Sequence, residues 1–171
     1  WAAGGTGRDL TSALDRLAPR HEYAVVTGYP EADIPHLAVG DPEYDGDAIL
    51  RVDAPDALDP GEVKASLEAT TPHETLGSLV ERVKESPDEE LAGAIATFTG
   101  RVRERDDSGD DPTQHLEFET YDGVARERMS SLESDLESRD GVFDVRMHHR
   151  TGVIEAGEDI VFVVVLAGHR G

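Results

Sequence analysis

The sequence predicts an α+β domain over residues 73–171, preceded by a partial α/β segment over residues 1–53 and a linker over residues 54–72. Three observations carry this. In residues 1–53 a helical stretch is followed by strand-length apolar runs, as in part of an α/β layer. Residues 54–72 are acidic and Ala-rich, punctuated by Pro55, Pro60, Gly61 and Pro72. In residues 73–171 strand patterns are placed around two amphipathic helices.

The elements follow in order. Residues 1–7 are small and Gly-rich (Gly4, Gly5, Gly7), but no Gly-Lys-Ser/Thr follows, so they form no P-loop and read as a flexible loop. Asp9 caps a helix that runs to about Leu17, with Leu10, Leu14 and Leu17 on one stripe; Pro19 ends it. Residues 22–29 read as a buried strand closed by a turn at Pro30, and residues 36–41 and 48–53 as two more strands. The linker holds one helical turn near residues 63–67. A second helix starts with Thr71 as N-cap, Pro72 at the first helical position and Glu74 completing a capping box; Leu76, Leu79, Val80 and Val83 form its stripe. Ser86-Pro87-Asp88-Glu89 repeats that start signal for a short turn.

Residues 93–103, GAIATFTGRVR, then carry an apolar strand (Ala94, Ile95, Ala96, Phe98) through Gly100 into two arginines. Alternate strand residues share a face, so Arg101 and Arg103 point one way and Val102 the other. Two neighbouring guanidiniums repel unless an anion lies between them, and arginine suits bidentate phosphate or carboxylate binding. A solvated strand end is the other reading of such a pair.

Residues 104–113 form a charged loop; its aspartates lack the Gly and distal Glu of an EF-hand, and a solvated hairpin tip fits better than a cation site. Residues 115–121 alternate as a strand, with Leu116, Phe118 and Thr120 on one face. Residues 124–139 form an amphipathic helix with Val124, Met129, Leu132 and Leu136 inward, capped by Gly141. Residues 142–152 read as a strand, 155–159 as a turn and 160–166 as a central, doubly covered strand. His148 and His149 face opposite ways in a strand and make no metal pair. His169 follows the central strand and precedes Arg170, at a position common for functional groups; a satisfied polar residue is the alternative.

Composition narrows the function. Net charge is −21, from 37 acidic and 16 basic residues, and the only lysines are Lys64 and Lys84. Such a surface disfavours nucleic acid and anionic membranes as partners. It suits a high-salt cytoplasm, where screening relieves self-repulsion. Arginines kept against this background are expected to have specific partners. Cysteine is absent, which removes disulfides, cysteine metal ligands and a cysteine nucleophile. The longest apolar run, residues 160–168, is far short of the ~20 residues of a membrane span. With no signal-peptide pattern, a cytoplasmic location is expected. A start at Trp1 and a stop at Gly171 read as a piece of a longer protein.

Three blocks together resemble the large (catalytic) subunit of molybdopterin synthase: GAIATFTGRVR, LEFETYDGVARERM (residues 116–129) and HHRTGVIEAGEDIVFVVVLAGHR (residues 148–170). Their order and spacing match over nearly all of residues 74–171, with Val124 where methionine is usual. The resemblance implies a hammerhead-like fold and the conversion of cyclic pyranopterin monophosphate to molybdopterin. Sulfur would come from the C-terminal Gly-Gly thiocarboxylate of a small ubiquitin-like carrier. It also implies a homodimer of large subunits with a carrier at each end, and neither cofactor nor metal. By matched position, Arg101, Val102, Arg103, His169 and Arg170 belong to one substrate-binding pocket, with Phe98 packed nearby. The family's catalytic lysines follow the His-Arg pair, so they are expected beyond Gly171, and the piece alone is expected to be inactive. A docking module for sulfur carriers, with no chemistry of its own, is the alternative. Residues 1–53 more weakly resemble the C-terminal half of the GTP-binding adaptor of molybdopterin guanine dinucleotide synthesis. Thr27 stands where that family has Glu, and the P-loop half is missing, so nucleotide binding is not expected.

Overall fold

The structure is a computed structural model that describes residues 9–40, 43–105, 107, 109–118 and 122–169. It divides into two compact units, one of Trp1–Glu22 with Glu74–Gly171 and one of Tyr23–His73. The division between residues 73 and 74 lies within one residue of the expected domain start at residue 73, no division falls at residue 53, and the stretch expected as a linker lies inside the second unit. There Asp59 accepts the Glu62 N–H at 2.9 Å and Pro60 opens the helix, so a full helix forms where one turn was expected.

The Tyr23–His73 unit contains β1 (Leu37–Val39) and β2 (Leu50–Val52), paired in parallel with Leu37 opposite Leu50. The helix Pro60–Glu68 follows them. Residues 23–29 are not a strand: they are irregular, and Val25 is 91% exposed. An apolar run becomes a strand only where a neighbour completes its hydrogen bonds, and among the described residues none pairs with it.

In the other unit, α1 (Leu10–Leu17) is capped by Asp9, whose carboxylate accepts the Ser12 N–H at 2.9 Å. That hydrogen bond holds the Asp9 carboxyl below its ordinary value. With the Pro60–Glu68 helix as α2, the next is α3 (Leu76–Val83). It starts four residues later than the sequence signal suggests, because Thr75 and Ser78 form a reciprocal cap: Ser78 N–H to Thr75 Oγ1 at 3.0 Å and Thr75 N–H to Ser78 Oγ at 2.8 Å. Glu74 is not a capping partner. It is buried, pairs with Arg82 at 2.5 Å and accepts the Ser78 hydroxyl at 2.7 Å. Thr75→Ala is expected to cost about 1 kcal/mol, read as a lower urea midpoint with an unchanged slope.

A three-stranded antiparallel sheet has the order β3 (Ala94–Arg101), β7 (Asp159–Ala167), β5 (Val142–His149). Phe162, Val164 and Leu166 on central β7 are buried against Leu79 and Val83 of α3. The intervening Val161, Val163 and Val165 are half-buried, so β7 is fully covered on one face rather than both. On the more open face, Phe98 lies opposite Val163 and is 60% exposed. The strand after the charged loop, β4 (His115–Phe118), does not close a hairpin with β3. It pairs instead with β6 (Gly152–Glu155). Thr120 of the expected strand lies outside the described residues.

Helix α4 (Asp122–Glu137) lies along the outer edge of β5. Its inward residues are Ala125, Met129, Glu133 and Leu136, whereas Val124 and Leu132, expected inward, are exposed. The docking is partly polar. Glu133 accepts the Met147 N–H at 2.7 Å and Glu137 the Val145 N–H at 3.0 Å. Burial raises the Glu133 carboxyl above its ordinary value, opposed by the Met147 N–H and Arg146 and reinforced by Glu137 and Asp144. Between the unfolded value and the raised one, the folded chain binds more protons than the unfolded chain. This contribution is therefore fully present below the unfolded value and is lost as pH rises through the folded one. Glu133→Gln keeps an acceptor for Met147, and urea midpoints from pH 4 to 7 are expected to lose that part of their decline.

Candidate functional site

Two ends of the sheet hold the sequence-predicted site residues. At one end the ladder shifts register between Gly100 and Arg101, and β3 stops at Arg101. Gly100 permits close packing, since a Cβ there would stand 2.5 Å from Val161 Cγ1. Val102 is 2% exposed. Its N–H donates to Glu158 O at 2.9 Å, and its carbonyl accepts the Gly157 N–H at 2.8 Å. Strand β3 is thus tied by backbone to the turn at residues 155–159, where Gly157 has φ +86°.

Arg101 is engaged by the same turn. Its Nε lies 2.9 Å from Asp159 Oδ1, and its Nη2 donates to Gly157 O. The anion beside this guanidinium is therefore one of the protein's own carboxylates, which differs from an arginine pair shared by an external anion. Arg103 lies beyond the strand end and is exposed.

Arg150 approaches the turn from the other outer strand. Its Nη1 donates to Asp159 O at 2.9 Å, and its Nη2 lies 3.6 Å from Glu158 Oε2. The candidate residues read from the sequence did not include Arg150. The signal was present, however: an arginine directly after a strand, followed by a turn carrying Glu155, Glu158 and Asp159.

His169 stands at the other end. Ala94 pairs with Ala167 while Arg101 pairs with Asp159, so the His169 and Arg101–Arg103 positions flank opposite ends of β3. Seven residue steps at about 3.3 Å each separate Arg101 from Ala94 by roughly 23 Å. Within one chain the arginines and His169 therefore stand at opposite ends of the sheet; whether one protomer supplies every group of the pocket was left open by the sequence.

Two glycines let the chain pass at this end. A Cβ on Gly93 would strike the Gly168 carbonyl oxygen, and Gly141, whose φ of +80° favours glycine, lies beside the His169 ring, with Cε1 3.7 Å from where a Cβ would stand. Gly168 N–H donates to Gly141 O at 2.9 Å, which fixes the backbone just before His169. Arg170 lies outside the described residues. Phe98 lies between the two ends.

The remaining candidates are accounted for locally. His148 stacks on Phe162 with centroids 6.4 Å apart, and His149 meets Phe118 edge-on at 5.2 Å. In the charged loop, Arg105 donates to Asp110 O at 2.7 Å and the Asp107 N–H to Asp110 Oδ2 at 3.0 Å. Among the described residues, no group of three His, Cys, Asp or Glu side chains is placed to hold a metal ion.

Comparison with known proteins gives a consistent family. A probable molybdopterin synthase of Haloferax volcanii is 49% identical over 170 residues, covering 99% of this chain and 65% of that protein. The molybdopterin synthase catalytic subunit of Neurospora crassa is 33% identical over 101 residues, 59% of this chain and 46% of its own. A molybdopterin biosynthesis MoaE protein from Burkholderia ambifaria has a solved structure with a TM-score of 0.49 and 27% identity over 59% of this chain and 63% of that one. The chain thus spans less than two thirds of the length of these proteins. The family described as MoaE protein matches residues 70–171, more than half of the sequence. By that match, the chain belongs to the MoaE protein family.

Proposed function

We propose that this chain is part of a molybdopterin synthase catalytic subunit. It would convert cyclic pyranopterin monophosphate to molybdopterin with sulfur from the C-terminal thiocarboxylate of a ubiquitin-like Gly-Gly carrier. The observation that carries the reading is the family match over residues 70–171, which contain every sequence-predicted site residue. The chemistry agrees. A cyclic phosphate calls for a planar, bidentate cation, and Arg103 beside the buried Val102 provides one at an exposed strand end. Sulfur transfer to substrate carbons moves protons, which a histidine such as His169 is suited to assist.

The roughly 23 Å spread of the site along β3 supports a homodimer in which one subunit supplies the Arg103 end and its partner the His169–Arg170 end of each pocket. In this reading Arg101 and Val102 shape the pocket through the turn they hold, and exposed Phe98 lies on the apolar face available to a second subunit. We also infer that residues 1–53 are adaptor-like, an idea supported by the parallel β1–β2 pair.

The test is a turnover assay on the full-length protein with thiocarboxylated carrier and cyclic pyranopterin monophosphate in high-potassium buffer. Molybdopterin is the expected product. Carrier binding without product would identify a docking module instead.

A further inference from the structure

We propose that Arg150 is a positioning residue for Arg103, acting through the turn at residues 155–159; this rests on the functional reading above. The turn leads into central β7 and is gripped from both flanking strands. Arg101, at the end of β3, holds the Asp159 carboxylate and Gly157 O. Arg150, just past the end of β5, holds Asp159 O at 2.9 Å and lies 3.6 Å from the Glu158 carboxylate. That carboxylate also accepts the Glu155 N–H at 3.2 Å, which closes the turn on itself.

What the turn holds is the backbone next to Arg103. Glu158 O accepts the Val102 N–H, and Gly157 N–H donates to Val102 O, at 2.9 and 2.8 Å. The Val102 side chain is buried, so its Cα cannot drift without opening the interior. Arg103 is the next residue, beyond the last strand hydrogen bond. A guanidinium on a long side chain finds a bidentate partner efficiently only if its backbone origin is fixed. Arg150 supplies that fixation from the far side of the sheet without reaching the substrate itself. Arg150→Lys replaces a planar, pre-organised fork with a single rotatable ammonium, so it holds Asp159 O and the Glu158 carboxylate less rigidly.

The experiment uses full-length protein in high-potassium buffer, with Arg150→Ala, Arg150→Lys, Arg103→Ala and the double variant Arg103→Ala/Arg150→Ala. The first readout is amide hydrogen exchange. Arg150→Ala is expected to deprotect the amides of Val102 and Gly157 while those of Val163 and Val164 in the central strand keep wild-type protection. Unchanged exchange at Val102 and Gly157 overturns the proposal, whether or not the protein makes product.

The second readout is kinetic. Arg150→Ala is expected to raise KM for the cyclic phosphate substrate about tenfold, which is about 1.4 kcal/mol. KM for the carrier should stay the same, and Arg150→Lys should fall between wild type and alanine. In the Arg103→Ala background the Arg150 change should add little, because its effect passes through Arg103. Full additivity, or an equal loss for both substrates, overturns the positioning role. Wild-type protein that makes no molybdopterin while the two amides still deprotect overturns the functional reading and the Arg103 role together, and identifies the grip on the turn as purely structural.

Discussion

Arg103→Ala and His169→Ala, each made in the full-length protein, are expected to reduce turnover at least tenfold, or about 1.4 kcal/mol of barrier. Mixed together, they are expected to recover activity. In the proposed homodimer, each variant lacks the same group in both pockets. A mixed dimer has one pocket lacking both groups and one pocket lacking neither. Random exchange of subunits makes half the dimers mixed, so about a quarter of wild-type turnover should return. The basis is the antiparallel register, in which Ala94 meets Ala167 and Arg101 meets Asp159. If both groups served a pocket within one subunit, mixing would return nothing, and the shared-pocket reading would fall. Wild-type rates in both single variants would remove these residues from the site.

Leu166→Ala is expected to lower the unfolding free energy by about 2–5 kcal/mol. Leu166 is 1% exposed and packs with Leu79, Val83, Phe162 and Val164 where α3 meets the central strand. Truncation removes buried methyl groups and leaves a cavity that a sheet strand held on both sides cannot close. Urea unfolding in molar KCl, with a lower midpoint and unchanged slope, is the measurement. A loss under about 1 kcal/mol would show that the site collapses or is already open.

Much of the C-terminal fold was legible because its signals are local. The apolar run of residues 160–166 and the glycine at 141 each specify a structure over a few residues and form where the pattern places them, as does the Asp9 cap near the N-terminus. What failed depended on partners. The apolar pattern of residues 23–29 says nothing about whether a neighbouring strand exists, and none is paired with it among the described residues. β4 was read as returning along β3, yet sequence alternation carries no information about which strand it joins. Val124 and Leu132 were placed inward by periodicity, but with two glutamates bonded to β5 the inward side of α4 carries Ala125 and Glu133 beside the expected Met129 and Leu136.

The candidate site shows the same division. The sequence singled out Arg101, Arg103 and His169 by type and position. It could not show that Arg101 answers to Asp159, or that an antiparallel register holds Arg103 and His169 apart. Both facts arise from long-range pairing. Arg150 was missed for the same reason, since its partners Glu158 and Asp159 are brought to it only by the β5–β7 pairing.

The carboxylates of Glu133 and Glu137 also give the sheet a direction of growth. By occupying outward N–H groups of Met147 and Val145, they cap one margin of the three-stranded sheet, and an incoming strand would have to displace both side chains. The opposite margin, β3, has no neighbour among the described residues. A strand from another polypeptide that joins this sheet therefore has the β3 margin to pair with, alongside residues 94–101.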